Sequence, residues 1–191
     1  MSFPPIHRVV TGHDADGKGI IVMNGPLSTV RALDSLPGMV FHEVWETHRT
    51  PAPVDNGPDP TTGPLMHQAP AQGNRIRFVD FPPDASYMAD APARMEALFA
   101  EVNDVTAWTV QRDSPHPMMH SSEAIDYCIV IEGEMTLVLE DSEVLLRPGS
   151  VVVQRGTSHA WANRTDRMCR VLYVQVDGEY APSIAAALAR R

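Results

Sequence analysis

The stretch His116-Pro-Met-Met-His120-Ser-Ser-Glu-Ala-Ile-Asp126-Tyr-Cys-Ile-Val-Ile131-Glu-Gly133 decides the fold, together with the thirty residues from Glu134 to Asn163. The apolar run Cys128–Ile131 ends at Glu132-Gly133-Glu134. A second run, Met135–Leu139, ends at the acidic turn Glu140-Asp-Ser-Glu143. Val144-Leu-Leu146 then leads to Arg147-Pro-Gly149, and Val151–Gln154 leads to Arg155-Gly-Thr-Ser-His159 and Ala-Trp-Ala-Asn163. Short runs rich in β-branched residues, separated by Gly, Pro and acidic turns, predict an antiparallel all-β sandwich or barrel.

These residues resemble the two motifs of the cupin superfamily. Asp126 precedes Gly133 at the family's carboxylate-to-glycine interval, and His159 and Asn163 follow Gly156 at the family's spacing. Met118 stands where the family has the first His of a pair, and Gln154 where it has a turn Pro. A small subgroup of single-domain cupins is similar in its His-Pro-x-Met-His and Gln-Arg-Gly-x-x-His-Ala-Trp segments. The resemblance implies a jelly-roll barrel around an internal pocket.

Working outward from the motif region, 191 residues are enough for one domain, with 43% hydrophobic and 20% charged residues. The expected plan is a single cupin domain over 1–191. It has N-terminal strands over 1–50, a Pro-rich loop over 51–74, and a strand with an inserted helix over 75–112. The cupin core then covers 113–177 and a short C-terminal helix 178–191. His7–Val10 and Gly19–Met23 read as a hairpin with a long loop, and Met39–Thr47 as a further strand. By the resemblance the hairpin belongs to a homodimer interface.

Six prolines between Pro51 and Pro70 exclude a central strand there, because proline cannot donate to a ladder. Arg75–Phe81 alternates and predicts a half-buried strand. Asp90 offers an N-cap, and Met95, Leu98, Phe99 and Val102 follow at helical spacing, so a helix is expected from about Ala91 to Val102. Pro182 opens an Ala-rich C-terminal helix.

A formal net charge of -9 argues against nucleic-acid and anionic-membrane partners, since both attract positive surfaces. No apolar run is long enough to span a membrane. Without a signal core, the expectation is a cytoplasmic protein with Cys128 and Cys169 as buried free thiols. Phosphate loops, nucleophile elbows and Cys-x-x-Cys are absent from the sequence, which removes support for nucleotide hydrolysis, serine hydrolysis and dithiol redox chemistry.

The candidate site is His120, Asp126 and His159 as ligands of a divalent metal, with His116 as a substitute for the imidazole lost at Met118. Imidazole with carboxylate suits Fe, Mn, Zn, Ni or Cu. Met118, Tyr127 and Trp161 are the expected pocket residues. Tyr127 and Asp126 are neighbours and face opposite ways in a regular strand. Two functions are compatible with this pattern. One is a metal-dependent enzyme acting on a small aromatic or carboxylated metabolite. The other is a non-catalytic small-molecule-binding barrel without metal.

Overall fold

The computed structural model describes residues 3–111 and 113–190. The expected boundary at residue 112 and the chain-end residues 1, 2 and 191 lie outside them. In chain order the strands are β1 (His7–His13), β2 (Gly19–Pro26), β3 (Val30–Ala32), β4 (Val40–Thr47), β5 (Asn74–Phe81), β6 (Ala124–Glu132), β7 (Met135–Val138), β8 (Glu143–Leu146), β9 (Val151–Arg155), β10 (Ala160–Ala162) and β11 (Cys169–Asp177). The helices are α1 (Ala91–Glu101) and α2 (Pro182–Leu188). None of the described helices is long and apolar enough to cross a membrane.

β1 and β2 form a separate antiparallel hairpin. The rest divides into a six-stranded sheet, β3-β4-β5-β11-β6-β9, and a three-stranded sheet, β10-β7-β8. The two larger sheets enclose one core, in which Val130, Met135, Val138, Cys169 and Val171 are fully buried. This is the expected all-β jelly-roll. The turn from β6 to β7 needs its glycine. Gly133 has φ +84°, and a Cβ there would stand 2.7 Å from the Met168 carbonyl oxygen, so both the backbone and the space demand Gly.

The central strands alternate as the sequence suggested, but β5 shows its charges to the inside. Arg75, Arg77 and Val79 are buried, whereas Ile76 and Phe78 are half-buried. The buried guanidiniums are ion-paired and hold loop carbonyls, although Arg77 Nε itself makes no hydrogen bond. Arg75 pairs with Glu46 at 2.7 Å and donates to the carbonyls of Met66 and Gln68. Arg77 lies 3.2 Å from Glu43 and donates to the Met66 carbonyl at 2.6 Å. β5 therefore holds the Pro-rich loop by its main-chain oxygens, and so fixes residues 66–68 against the barrel.

α1 matches its expected range to within one residue, and Met95, Leu98, Phe99 and Val102 are buried as the spacing required. Asp90 does not cap it with its side chain; Pro92 in the first turn takes the position where a missing N–H costs nothing. The three-residue β3 has no counterpart in the sequence reading. It is too short to show a period.

Candidate functional site

Two backbone segments bring the central histidines together. His120 and His159 exchange both main-chain hydrogen bonds, at 2.8 and 2.9 Å. A pair that exchanges both bonds sits directly opposite across an antiparallel ladder, and here the two ring centroids are 4.3 Å apart. The two motif histidines are thus hydrogen-bonded neighbours rather than facing walls.

Each ring is fixed through Nδ1. His120 Nδ1 meets the Met118 carbonyl at 2.8 Å, and His159 Nδ1 meets the Thr157 carbonyl at 2.9 Å. A carbonyl only accepts, so both Nδ1 atoms carry the proton and both Nε2 atoms keep a lone pair. Burial, reinforced by the neighbouring imidazoles, holds His120 well below its usual pKa. Burial pushes His159 down to about 4. Both rings are neutral at pH 7.

A third imidazole joins this pair from the Pro-rich loop. The His67 ring centroid lies 5.2 Å from that of His120. His67 Nδ1 donates to Asp104 Oδ2 at 2.8 Å, and Gln68 Nε2 donates to the same oxygen at 3.0 Å. Burial alone would raise the Asp104 pKa. The bonds from His67, Gln68 and Thr106 outweigh it and hold the carboxyl below its usual range. The result is a line of three rings, His159, His120 and His67, ending on an ionised carboxylate.

Sequence reading passes over His67, because it and Asp104 are 37 residues apart and neither has a spaced partner. The available signal is Arg75-x-Arg77. Two arginines on the inward face of a strand must find acceptors, and the nearest unpaired carbonyls belong to the preceding loop.

The other expected site residues divide between cavity, surface and frame. Asp126 is only 6% exposed and points inward. Desolvation raises its pKa to about 6, against a hydrogen bond from Gln175 and the more distant charges of His67 and Arg77. Met118 and Trp161 line the cavity, with His67, His120, Phe99, Tyr173 and others. Tyr127 does not. It is 43% exposed on the outer face of β6, as its alternation with Asp126 requires. His116 has no free nitrogen. Its Nδ1 accepts the Met118 N–H at 3.1 Å, and its Nε2 faces Asp84 Oδ2 at 3.4 Å. It is part of the frame.

The cavity is narrow, about 60 Å³. Leu98 and Phe99 of α1 and Val102 at its C-cap close one side, and Phe41, Phe81 and Trp161 form much of the rest. α1 is therefore a wall of the cavity.

The family resemblance implies a divalent metal, and the donors can be tested for it. Two neutral imidazoles with open Nε2 atoms stand side by side, and the His67 ring, anchored only through Nδ1, follows 5.2 Å from His120. Met118 offers a thioether, a poor ligand for hard ions, and His116 is occupied by Asp84 and its own loop. Among the described residues no three His, Cys, Asp or Glu side chains are grouped to hold a metal ion. The side chains as arranged do not fit a resident metal.

The family model described as "Cupin domain" matches residues 107–175. Phomopsin biosynthesis cluster protein C' of Diaporthe leptostromiformis is 31% identical over 166 residues, covering 83% of this chain and 71% of that protein. The cupin-domain-containing oxidoreductase fogC of Aspergillus ruber is 26% identical over 178 residues, covering 89% of this chain and 71% of that protein. Among solved structures, an RmlC-like cupin family protein from Methanocaldococcus jannaschii aligns over 55% of this chain and 70% of its own, with TM-score 0.34 and 18% identity. With the motif region, the jelly-roll and a relative sharing nearly a third of its residues across most of both chains, this protein belongs to the cupin family.

Proposed function

We propose that this cupin binds a small ring-bearing metabolite in the barrel cavity and moves a proton on it, with His67 as the accepting group. The observation that carries the reading is the orientation of His67. Its Nδ1–H is held by an ionised aspartate, and its ring lines the cavity beside His120. A carboxylate in that position fixes the tautomer and stabilises the imidazolium that forms when Nε2 takes a proton. In the proposed step Nε2 removes a proton from carbon next to a carbonyl, the electron pair moves onto the carbonyl oxygen, and the same nitrogen returns a proton. His120, neutral with its Nε2 lone pair free, accepts a hydrogen bond from the bound molecule and orients it. The names of the relatives, a biosynthesis cluster protein and an oxidoreductase, support a small-molecule substrate.

Solvent exchange tests this directly. The protein is incubated in D₂O with phenylacetone and its ring-hydroxylated analogues, and deuterium uptake is followed by mass spectrometry. Wild-type protein is expected to accelerate uptake. His67→Gln and Asp104→Asn should each lower the rate by about 10²-fold or more, with their circular dichroism unchanged. Uptake no faster than in buffer across the whole series would refute the proton-transfer step. A second reading, binding without turnover, is favoured by one observation: burial makes His120 and His159 weak bases. Ligand binding without exchange would select it.

A further inference from the structure

The cavity carries an imbalance in its hydrogen bonding. Tyr173 Oη, Gln175 Oε1 and Asp126 Oδ1 are all buried without a hydrogen-bond partner. Tyr173 and Gln175 are two residues apart on β11, so they face the same way, and both line the cavity. Asp126 sits directly across from Gln175 in the β6–β11 ladder. Gln175 Oε1 and Asp126 Oδ1 can only accept, whereas the Tyr173 hydroxyl can both give and take a hydrogen bond. The uncharged orphans that line the cavity are therefore one acceptor, Gln175 Oε1, and one hydroxyl, Tyr173 Oη. Each such orphan has lost its water and weighs against the fold unless something answers it.

Cations near the wall are already committed. Arg77 is opposite Tyr173 in the β5–β11 ladder. Its Nε lies within ion-pair distance of Glu43 Oε1, at 3.2 Å, although the angle is too poor for a hydrogen bond. One of its terminal nitrogens donates to the Met66 carbonyl and the other reaches toward that of His67. An incoming carboxylate would find no free guanidinium and would face the Asp126 side. Around this wall are the rings of Phe41, Phe81, Phe99 and Trp161. At about 60 Å³ the cavity is smaller than the ~150 Å³ that holds a benzene ring, so a one-ring occupant requires the flexible side chains Met39 and Met118 to give way.

We infer that the cavity selects an uncharged aromatic carrying a hydroxyl group, a phenol or a benzylic alcohol, and discriminates against aromatic carboxylates. The hydroxyl proton goes to Gln175 Oε1, and its oxygen accepts from Tyr173 Oη. This rests on the proposal that the cavity is the ligand site, and it excludes the carboxylated half of the substrate class expected from sequence.

The test uses the full-length protein at pH 8 with benzyl alcohol, 3-hydroxybenzyl alcohol, toluene and benzoate, followed by thermal shift and calorimetry. The two alcohols should bind, toluene about 30- to 100-fold more weakly, as two lost hydrogen bonds imply, and benzoate not at all. Tyr173→Phe and Gln175→Leu should each weaken benzyl alcohol by about tenfold, and the double variant should bring it down to the affinity of toluene. Tyr173→Phe removes a buried orphan oxygen, so its fold should be intact. Benzoate binding as tightly as benzyl alcohol, or toluene binding equally well, would overturn the selectivity and leave the cavity reading standing. Failure of every aromatic to bind would overturn both. Asp104 does not line the cavity, so Asp104→Asn should lower deuterium exchange while keeping benzyl alcohol affinity, which separates the proton-transfer step from this one.

Discussion

His116 and His67 both meet a buried aspartate, and they do opposite things. His116 belongs to a closed network. Asp84 Oδ1 accepts from the Tyr87 hydroxyl at 2.6 Å and from the Asn163 N–H at 3.0 Å, while Asp84 Oδ2 faces His116. Asn163 in turn donates to the carbonyls of Phe81 and Arg167 and accepts from Thr165. Every ring nitrogen there has a partner. In the line His67, His120 and His159 each ring has one nitrogen anchored and, among the described residues, no protein partner for the other. A closed cluster spends its polar groups on the frame. An open one keeps lone pairs available to something that enters.

That contrast predicts a graded series of effects. The largest falls on the closed network. Asp84→Ala strands Tyr87, Asn163 and His116 together and should cost about 3–5 kcal/mol, read as a lower urea midpoint at unchanged slope. His67→Ala, at the half-buried end of the open line, should cost no more than about 1 kcal/mol. Equal losses at the two sites would erase the distinction.

Acid should separate the clusters next. His120 and His159 are held below the usual imidazole pKa, so below about 6.5 the unfolded chain takes up protons that the folded one does not. Their contribution to stability is present above that pH and is lost as pH falls toward about 4. Asp126 works the other way. Raised to about 6, it keeps a proton in the folded state that the unfolded carboxyl has released, so it adds stability as pH falls from 6 toward 4. Asp126→Asn removes that offset, and its thermal midpoint should fall more steeply than wild type over pH 6.5–4. The closed network erodes later. The Asp84 carboxyl is desolvated, but its bonds from His116 and Tyr87 hold it below 3.8, so its contribution lasts until the pH drops under about 4. Parallel curves for wild type and Asp126→Asn would contradict this assignment.

The smallest effect is at the surface. Arg164 pairs bidentately with Glu143, at 2.7 and 2.6 Å, with both side chains about half exposed. Solvent screens such a pair, and Arg164→Ala should leave the thermal midpoint within experimental error.

The sequence shows most of the frame and two of the three rings of the open line. Strands β6 to β11 are legible because each is short, branched and bounded by a glycine or an acidic turn, and α1 because its apolar residues recur at helical spacing. His159 is legible by its interval to Gly156, and His120 by the His-Pro-x-Met-His segment that ends on it, ahead of Asp126 at its interval to Gly133. His67 is not. Its place is set by Arg75 and Arg77 reaching back to loop carbonyls, and a contact to a main-chain oxygen leaves no mark on the residue that supplies it. The inward face of β5 is hidden for a related reason: alternation gives the period of a strand, and charged residues on one phase of it ordinarily mark the solvent side. The expected role of His116 fails because Pro117 and the turn to Met118 rotate its ring toward Asp84.

That grip on main-chain oxygen has a practical consequence. Because Arg75 and Arg77 hold residues 66–68 by groups every amino acid possesses, the surrounding segment can be rewritten without releasing its hold. A library that randomises the exposed residues 62–64, while keeping His67, both arginines and the buried Asp59–Arg8 and Thr61–Thr29 contacts, should vary the approach to the barrel and leave the imidazole where it stands. The barrel thus comes with a replaceable collar.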